Sequence, residues 1–378
     1  MRGDIKTLFI AASILIGTVV GAGFLGIPSV VAKSGFAVGL FYLVFIFLII
    51  LAVNLSLGEI ILRTKGHHQL TGYALRYLGG NGKKIMLFSI LFGIYTALVA
   101  YLIGIGNSLN FILSGNLDYT FVFSIFVWVI MSFIVSFKIS YIRKRIGLGT
   151  FIALFLIILA ILIKFPQIDY GNFSGIYPEN LFLPFGVVLF SFLGFSAMPE
   201  IEEYLHGKEK MMKKVLVLGT AIPFLIYFIF TFWMIGIYGV NIPEISTFAR
   251  GKLVVFLGIA TMSTAYVALS NALKDLYVMD YNFSRKKAWL IVVIAPIILF
   301  LTANFFNFNS FIKIISLGGI ISGGINAILI LLMIGRAKRF GNRKPEYSFK
   351  LSKFILFFIG IIFALGIIYE VLLMLGVV

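Results

Sequence analysis

Long apolar runs, separated by short polar or turn-rich segments, follow one another along the whole chain. Each run approaches or exceeds the roughly 20 residues that an α-helix needs to cross the hydrocarbon core of a bilayer. The period-two alternation of a β-strand is absent, so the pattern predicts an all-α integral membrane protein. The eleven predicted spans are residues 7–32, 36–62, 85–113, 119–137, 147–165, 182–206, 215–239, 253–277, 288–305, 310–335 and 353–376.

The composition narrows the class further. Of the 378 residues, 61% are hydrophobic and 12% are charged, whereas a soluble domain carries about 25% charged residues. A soluble globular fold is therefore excluded. The chain has no cysteine, which excludes disulfides, thiolate metal sites and a cysteine nucleophile. Arg2, Asp4 and Lys6 precede the first apolar run directly, without a cleavage site, so we expect a retained span and not a signal peptide.

The formal charge of +17 is distributed unevenly between the two sides of the predicted bundle. If the N-terminus is cytoplasmic, the inner segments hold 26 of the 31 lysines and arginines, and the outer segments hold the other 5. Positive residues are retained on the cytoplasmic side of membranes. The count predicts a multi-pass protein of the cell membrane with a cytoplasmic N-terminus and, after eleven spans, an extracytoplasmic C-terminus. The charge then indicates orientation, and we expect no nucleic-acid partner.

No segment between spans is long enough for a soluble domain, so residues 1–378 are predicted to form one transmembrane domain. The longest inner segments are residues 63–84 and 336–352. Within the first of them, the stretch from Leu70 to Leu78 is amphipathic and is expected to lie at the membrane interface.

Two spans carry residues that interrupt a helix. Gly17 to Pro28 contains four glycines and a proline, and the sixth span has Gly194 and Pro199 close together. Both residue types weaken a helix interior. The alternative for the first span is an unbroken helix in which Gly17 and Gly21 allow close packing, and for the sixth it is an ordinary proline kink.

Interrupted spans at corresponding places of two halves are typical of secondary transporters with inverted repeats. Spans one to five (about 7–165) and six to ten (about 182–335) have opposite orientations because five is odd, and the helix at about 353–376 is additional. Unwinding frees backbone groups in a region without water. N–H groups at a helix start suit a carboxylate, and carbonyls suit an ammonium group, so a zwitterionic amino acid matches both.

The amino-acid sequences of these two spans resemble those of a known family. The segment Gly17-Thr18-Val19-Val20-Gly21-Ala22-Gly23-Phe24-Leu25-Gly26-Ile27-Pro28 resembles the first-helix signature of the hydroxy/aromatic amino-acid permeases and amino acid/auxin permeases. These belong to the amino acid-polyamine-organocation superfamily. Residues 190–200 look like the sixth-helix partner of that signature, and the acid Glu59 is at a family-like place. The resemblance implies a LeuT-like fold with 5+5 inverted repeats.

The resemblance also implies which groups hold the substrate. Its carboxylate would meet the N–H groups of Ala22 and Gly23, and its amine would meet the carbonyls of Val19, Phe190 and Leu193. Tyr101 of the third span would bond the carboxylate, with Tyr95 as the alternative. The remaining members of this predicted site are the break glycines Gly21 and Gly194 and the pocket or gate residues Phe24, Phe190 and Phe195. With 41 phenylalanines in the chain, packing against the core or lipid is the alternative for each aromatic ring.

Sodium-coupled relatives place a cation between the first-helix break and hydroxyls of the eighth helix. The corresponding oxygens here belong to Gly17, Val20, Thr261, Ser263 and Thr264. The alternative is that these hydroxyls bond their own helix backbone.

Two acids inside predicted spans complete the candidates. Glu59 is a candidate proton carrier because an intramembrane acid is usually functional, and pairing with Arg63 is its alternative. Glu370, in the last span, is expected to meet a neighbouring helix or a partner subunit.

These features predict a Na⁺- or H⁺-coupled symporter that imports a neutral or aromatic amino acid by alternating access. Spans one, two, six and seven would rock against the others. An exchanger on the same fold and a transporter-like nutrient sensor are the alternatives. We expect no enzyme, because the only histidines are His67, His68 and His206 and no acidic pair is spaced to hold Mg²⁺. No cofactor is expected beyond a bound Na⁺, and the partners are the amino acid, the coupling cation and the bilayer.

Overall fold

The computed structural model describes residues 2–137, 168–350 and 352–374, and the regular structure of these residues is helical throughout. Thirteen α-helices are numbered here in chain order. They are α1 (Arg2–Val19), α2 (Gly23–Ser34), α3 (Phe36–Leu62), α4 (Leu70–Ser114), α5 (Thr120–Ser136), α6 (Leu183–Ser191), α7 (Met198–Tyr204), α8 (Met212–Tyr238), α9 (Lys252–Tyr281), α10 (Arg285–Phe305), α11 (Phe311–Gly318), α12 (Gly324–Phe340) and α13 (Lys353–Met374).

The helices coincide with ten of the eleven predicted spans, and the fifth predicted span, 147–165, lies outside the described residues. Seven helical stretches in the described part are long and apolar enough to cross a membrane, and the bent pair α1–α2 makes an eighth. α5 and residues 357–370 of α13 are shorter apolar helices. The prediction of an all-α, multi-pass membrane protein is confirmed, while the full count of eleven crossings stays a prediction.

The third span begins earlier than its apolar run. α4 is 45 residues long because the amphipathic stretch from Leu70 continues into the membrane helix across a kink at Gly79, where φ is +80°. Only glycine adopts this backbone angle without strain. The residues before the kink are held to the bundle, since Tyr77 shares a hydrogen bond of 2.7 Å with Thr64. The predicted loop at 63–84 is therefore mostly helix.

The two interrupted spans lie at the centre of the bundle. α1 packs on α8, and α2 packs on both α6 and α8. α4 forms the opposite wall, in contact with α5, α9, α11 and α12. Aromatic rings fill the space between the broken spans and α8, and Phe24, Phe192, Tyr227 and Phe230 are all fully buried or nearly so.

The tenth span contains an irregularity that the apolar pattern does not reveal. Between α11 and α12, residues Gly319–Gly323 form one turn of π-helix. A Cβ at Gly319 would lie 2.8 Å from the backbone nitrogen of Phe190, closer than real Cβ atoms approach. The glycines of this turn therefore let α6 touch the tenth span backbone to backbone.

The last helix contacts the tenth span through α12. Glu370 is buried there, beside Ser316 of α11. The expectation that this acid meets a neighbouring helix is confirmed.

Candidate functional site

The first span is broken at residues 20–22. α1 and α2 are bent relative to each other by 58°. The last regular bond of α1 runs from the N–H of Val20 to the carbonyl of Ile16 at 2.8 Å, whereas the N–H of Gly21 turns back to the carbonyl of Val19 at 3.0 Å. The interruption is confirmed, and the unbroken close-packed helix is excluded.

The sixth span is broken as well. α6 ends at Ser191, Leu193 and Gly194 are not helical, and a 3₁₀ turn at Phe195–Ala197 leads into α7. Pro199 lies in the first turn of α7, where proline is tolerated because the missing N–H has no helical acceptor. The break therefore precedes the proline, and an ordinary proline kink does not describe this span.

A single side chain of α8 joins the two breaks. The Tyr227 hydroxyl lies 3.1 Å from the carbonyl oxygen of Val19 and 2.8 Å from that of Ser191. Both oxygens are acceptors, and a hydroxyl has one proton to donate. The Val19 carbonyl also accepts the Gly21 N–H, whereas the hydroxyl proton is shared between two carbonyls. Three oxygens therefore converge with fewer hydrogens than they can accept, and an ammonium group or a small cation would complete this arrangement.

Sequence reasoning missed Tyr227, and it named the carbonyls of Phe190 and Leu193 instead of that of Ser191. The Phe190 carbonyl accepts the Leu193 N–H at 3.1 Å in the structure. The local signal for Tyr227 is weak, because a tyrosine in an aromatic-rich span beside Pro223 has no recognisable motif. Only the fold reveals that its hydroxyl reaches both breaks.

The third span contributes Tyr101, which is 3% exposed. The Tyr101 hydroxyl lies beside the backbone of Ala22, and a Cβ at Gly21 would collide with this hydroxyl. Tyr95, the alternative in the sequence, shares a hydrogen bond of 3.0 Å with Tyr277 instead. Of the two tyrosines, Tyr101 is therefore the one at the first break.

The aromatic residues of the predicted site pack in different places. Phe24 stacks on Tyr227 with the ring planes 4° apart and meets Phe230 edge-on. Phe192, which the sequence did not single out, meets Tyr227 edge-on at 5.2 Å between ring centroids. Phe190 lies against the π-turn glycines, and Phe195 is buried.

The predicted sodium ligands lie on α1, at Val20 in the first break and on α9, and α1 and α9 are in contact. The Thr261 hydroxyl donates to the carbonyl of Gly258, and the Thr264 hydroxyl donates to the carbonyl of Thr261, each at 2.8 Å. These are the own-helix bonds of the alternative, and each hydroxyl oxygen keeps lone pairs for a cation. Ala265, one residue further, packs 3.4 Å from the Cβ position of Gly21. The sodium site stays a prediction.

Glu59 is fully buried at the end of α3. Its carboxylate accepts from Arg63 at 2.8 Å, from the Ser348 hydroxyl at 3.0 Å and from the Phe349 N–H at 2.7 Å, and Lys338 is 3.9 Å away. This includes the Arg63 pair that the sequence offered as the alternative. Glu59 thus holds the segment that follows α12 against α3, and its coupling role stays a prediction.

The same segment makes further bonds across this end of the bundle. The Tyr347 hydroxyl donates to the carbonyl of Leu55 at 2.7 Å. Burial, followed by the charge of Glu59, raises the pKa of Tyr347, so the hydroxyl stays a neutral donor. The Tyr73 hydroxyl also donates to Glu202 of α7 at 2.9 Å. These contacts cover α3 and α7 at this end of the bundle.

Loops cover the opposite end. The Ser246 hydroxyl donates to the carbonyl of Leu25 at 2.7 Å, and the Ser29 hydroxyl donates to that of Ile242 at 3.2 Å. Tyr177 donates its N–H to Ser34 at 3.2 Å. With both ends covered, the residues of the two breaks are buried except for the partly buried Leu193, and the described structure is closed around the site.

Comparison with known proteins identifies a family and relatives of this chain. A family model described as the tryptophan/tyrosine permease family matches residues 4–372. The chain is 28% identical over 256 residues to glutamine transporter 2 of Aliivibrio fischeri, a match that covers 64% of each protein. It is 24% identical over 226 residues to tyrosine-specific transport system 1 of Haemophilus influenzae, covering 59% of this chain and 55% of that relative. The chain thus spans between about half and two thirds of the length of these relatives.

The glycine at the start of α2 should be intolerant of a side chain. A Cβ at Gly23 would lie 2.8 Å from the Cα of Ser191, which is backbone and cannot move aside. We expect Gly23→Ala to lower the free energy of unfolding by about 1–3 kcal/mol and to reduce substrate uptake, measured by thermal unfolding and a transport assay. Gly26→Ala is the matched control, because the nearest atoms to its Cβ position are side-chain ends of Ile315, Val187 and Phe311. Equal effects of both changes would contradict this close approach.

Removal of the Tyr227 hydroxyl tests its bridging role. Tyr227→Phe leaves the carbonyls of Val19 and Ser191 without this donor, so we expect a loss of about 1–3 kcal/mol in stability and impaired uptake. Tyr266→Phe is the control, because the Tyr266 hydroxyl is buried without a hydrogen-bond partner among the described residues. Thermal midpoints of the two variants should therefore differ. A control variant as impaired as Tyr227→Phe would show that the bridge has no special role.

Proposed function

Since the chain belongs to the tryptophan/tyrosine permease family, we propose that it is a secondary transporter that imports a neutral or aromatic amino acid together with Na⁺ or H⁺. The superfamily resemblance of its first span is confirmed by that membership. The names of the relatives, a glutamine transporter and two tyrosine-specific transport systems, support an amino acid without net side-chain charge as the substrate. A transport role without enzymatic chemistry follows from the proposal.

The observation that carries the proposal is the meeting of two broken helices at Tyr227. Backbone N–H and C=O groups that leave a helix inside a membrane cost free energy unless they find a hydrogen-bond partner. Breaks inside membrane helices therefore indicate a functional site. Here the carbonyls of Val19 and Ser191 face one shared donor. The substrate ammonium would take the place of that donor between the carbonyls.

The carboxylate of the substrate would bind at the start of α2. The first N–H groups of a helix have no intrahelical acceptor and carry partial positive charge. The Tyr101 hydroxyl lies beside the backbone of Gly21 and Ala22, so it borders the place that a carboxylate oxygen would take. On binding, this hydroxyl would donate to the carboxylate.

The coupling ion is proposed at one of two places. A sodium ion would bind oxygens of Gly17, Val20, Thr261, Ser263 and Thr264, between the first break and α9. A proton would be carried by Glu59, whose loading would weaken its bond to Arg63 and its hold on Ser348 and Phe349. The second route would link protonation to opening of the bundle end that residues 341–350 cover.

The number of membrane crossings, the inverted repeat and the orientation are part of the same proposal. Eleven crossings with a 5+5 inverted repeat would place spans one, two, six and seven in a moving bundle. The closed arrangement around Tyr227 would then be one step of an alternating-access cycle. The N-terminus would be cytoplasmic and the C-terminus extracytoplasmic, with the basic ends of the helices inside.

Uptake into vesicles tests the function. The purified full chain, reconstituted in liposomes, is expected to accumulate labelled tyrosine, tryptophan or glutamine when a Na⁺ or H⁺ gradient is imposed. Uptake that needs only unlabelled amino acid inside, without any gradient, would identify an exchanger. Absence of both gradient-driven uptake and counterflow for the whole panel would overturn the transport proposal.

Variants assign the ion in the same assay. If Na⁺ is coupled, Ser263→Ala and Thr264→Ala should abolish sodium stimulation, while Ser270→Ala, a buried hydroxyl of the same helix, should retain it. If uptake follows pH instead, Glu59→Gln should abolish that dependence. Sodium stimulation that survives both hydroxyl changes would exclude the proposed sodium site.

Cysteine labelling tests the topology, since the natural chain has no cysteine. Asn116→Cys and Tyr170→Cys are both expected to react with a membrane-impermeant maleimide on intact cells. Lys286→Cys is expected to react only after permeabilisation. All three positions are exposed. Labelling of Asn116→Cys and Tyr170→Cys from opposite sides would contradict the fifth span, and a reversed pattern would contradict the orientation.

A further inference from the structure

A cleft of about 350 Å³ opens where the first part of α4 meets the end of α12, and it is lined by Arg76, Tyr77, Arg336 and Phe340. It lies at the end of the bundle that carries the basic segments, away from the broken spans. The transport site therefore does not use it.

Both guanidinium groups of the cleft lack an acidic partner within the described parts of the chain. Arg336 donates to the carbonyl of Tyr77 at 2.8 Å, two residues before the kink at Gly79. Arg76 lies over the ring of Tyr77 at 5.8 Å from its centroid. Each guanidinium presents five N–H donors, so most of these donors face the cleft or the solvent. Two such groups side by side are suited to phosphate, which they can bind through paired N–H donors.

The surroundings of the cleft are apolar and exposed. Leu332 and Phe340 lie one turn before and one turn after Arg336 on α12 and are 56% and 62% exposed. Leu75, beside Arg76, is 47% exposed. A free inorganic anion would leave this apolar face exposed to water, whereas a ligand with a charged head and a hydrocarbon tail would cover it. The same helix continues into the membrane, so the face is continuous with the lipid.

We propose that this cleft binds the phosphate headgroup of an anionic phospholipid. Arg76 and Arg336 hold the phosphate, and one acyl chain lies along Phe340 and Leu332. A bound lipid then links the amphipathic start of α4 to the tenth span. Since Tyr73 of the same stretch holds Glu202 of α7, the lipid stabilises the closed end of the bundle.

The test uses the purified full chain in detergent and follows its thermal unfolding midpoint. The probes are dioleoyl phosphatidylglycerol, dioleoyl phosphatidylcholine with the same acyl chains, and inorganic phosphate. A ligand that binds only the folded protein raises the midpoint. We expect phosphatidylglycerol to raise it, and phosphatidylcholine and phosphate to leave it nearly unchanged.

Variants localise the effect. Arg76→Gln is expected to weaken the apparent affinity for phosphatidylglycerol by about fivefold, since one basic residue near an anionic lipid contributes about 1 kcal/mol. Arg76→Lys keeps the charge but not the paired donors, so it should lose less affinity than Arg76→Gln. Arg285→Gln is the matched control, because Arg285 is exposed at the start of α10 and its removal changes the net charge equally. This variant should bind as the natural chain does.

Three results would overturn the proposal. Equal stabilisation by phosphatidylcholine would mean that acyl chains alone are recognised, and equal stabilisation by inorganic phosphate would mean a free-anion site. If Arg285→Gln lowers the apparent affinity for phosphatidylglycerol as much as Arg76→Gln does, the binding would be unspecific attraction of a basic protein to anionic lipid. If Arg76→Gln does not fold, the lipid comparison on the natural chain and the Arg76→Lys variant still decide the outcome. None of these results depends on transport.

Discussion

A backbone that leaves the helix inside a bilayer must find its hydrogen bonds within the protein, and the Tyr227 hydroxyl meets this constraint for two spans at once. It lies between the carbonyls of Val19 and Ser191, at the ends of α1 and α6. Because the hydroxyl has one proton for two acceptors, it holds the two breaks together while the carbonyl oxygens keep unused hydrogen-bond acceptor capacity. The site is thus stable when closed and still has acceptor capacity for a positively charged group.

This arrangement requires backbones to approach closely, and glycine makes that possible. Gly23 faces Ser191, Gly21 faces Tyr101, and Gly319 of the π-turn faces Phe190. A methyl group at any of these positions would meet a neighbouring atom. Large aromatic side chains from α2 and α8 then fill the remaining volume around the breaks. Small residues where helices touch and large residues between them are the usual solution for packing in lipid, where no hydrophobic force drives helices together.

Polar contacts concentrate at the ends of the bundle, where alternating access would require opening. One end depends on a loop hydroxyl that donates to a carbonyl of α2 and on an α2 hydroxyl that donates to a carbonyl of residues 239–251. The other depends on the buried carboxylate of Glu59, which binds two cationic or polar side chains and one backbone N–H. A single buried acid with several donors is a stronger attachment than separate hydroxyls, so the two ends differ in what would release them.

The sequence by itself determined the helical membrane class, ten of the described spans, the two interruptions and the choice of Tyr101 over Tyr95 as first candidate. These features depend on local properties: apolar length, glycine and proline content, and position along a span. The tertiary structure alone decided the role of Tyr227, the bonding of Glu59 by residues after α12 and the π-turn against α6. Their partners lie far away in sequence, up to 290 residues for Glu59 and Phe349. Such pairs leave no periodic or compositional trace, because packing of the helices alone brings the groups within hydrogen-bond distance.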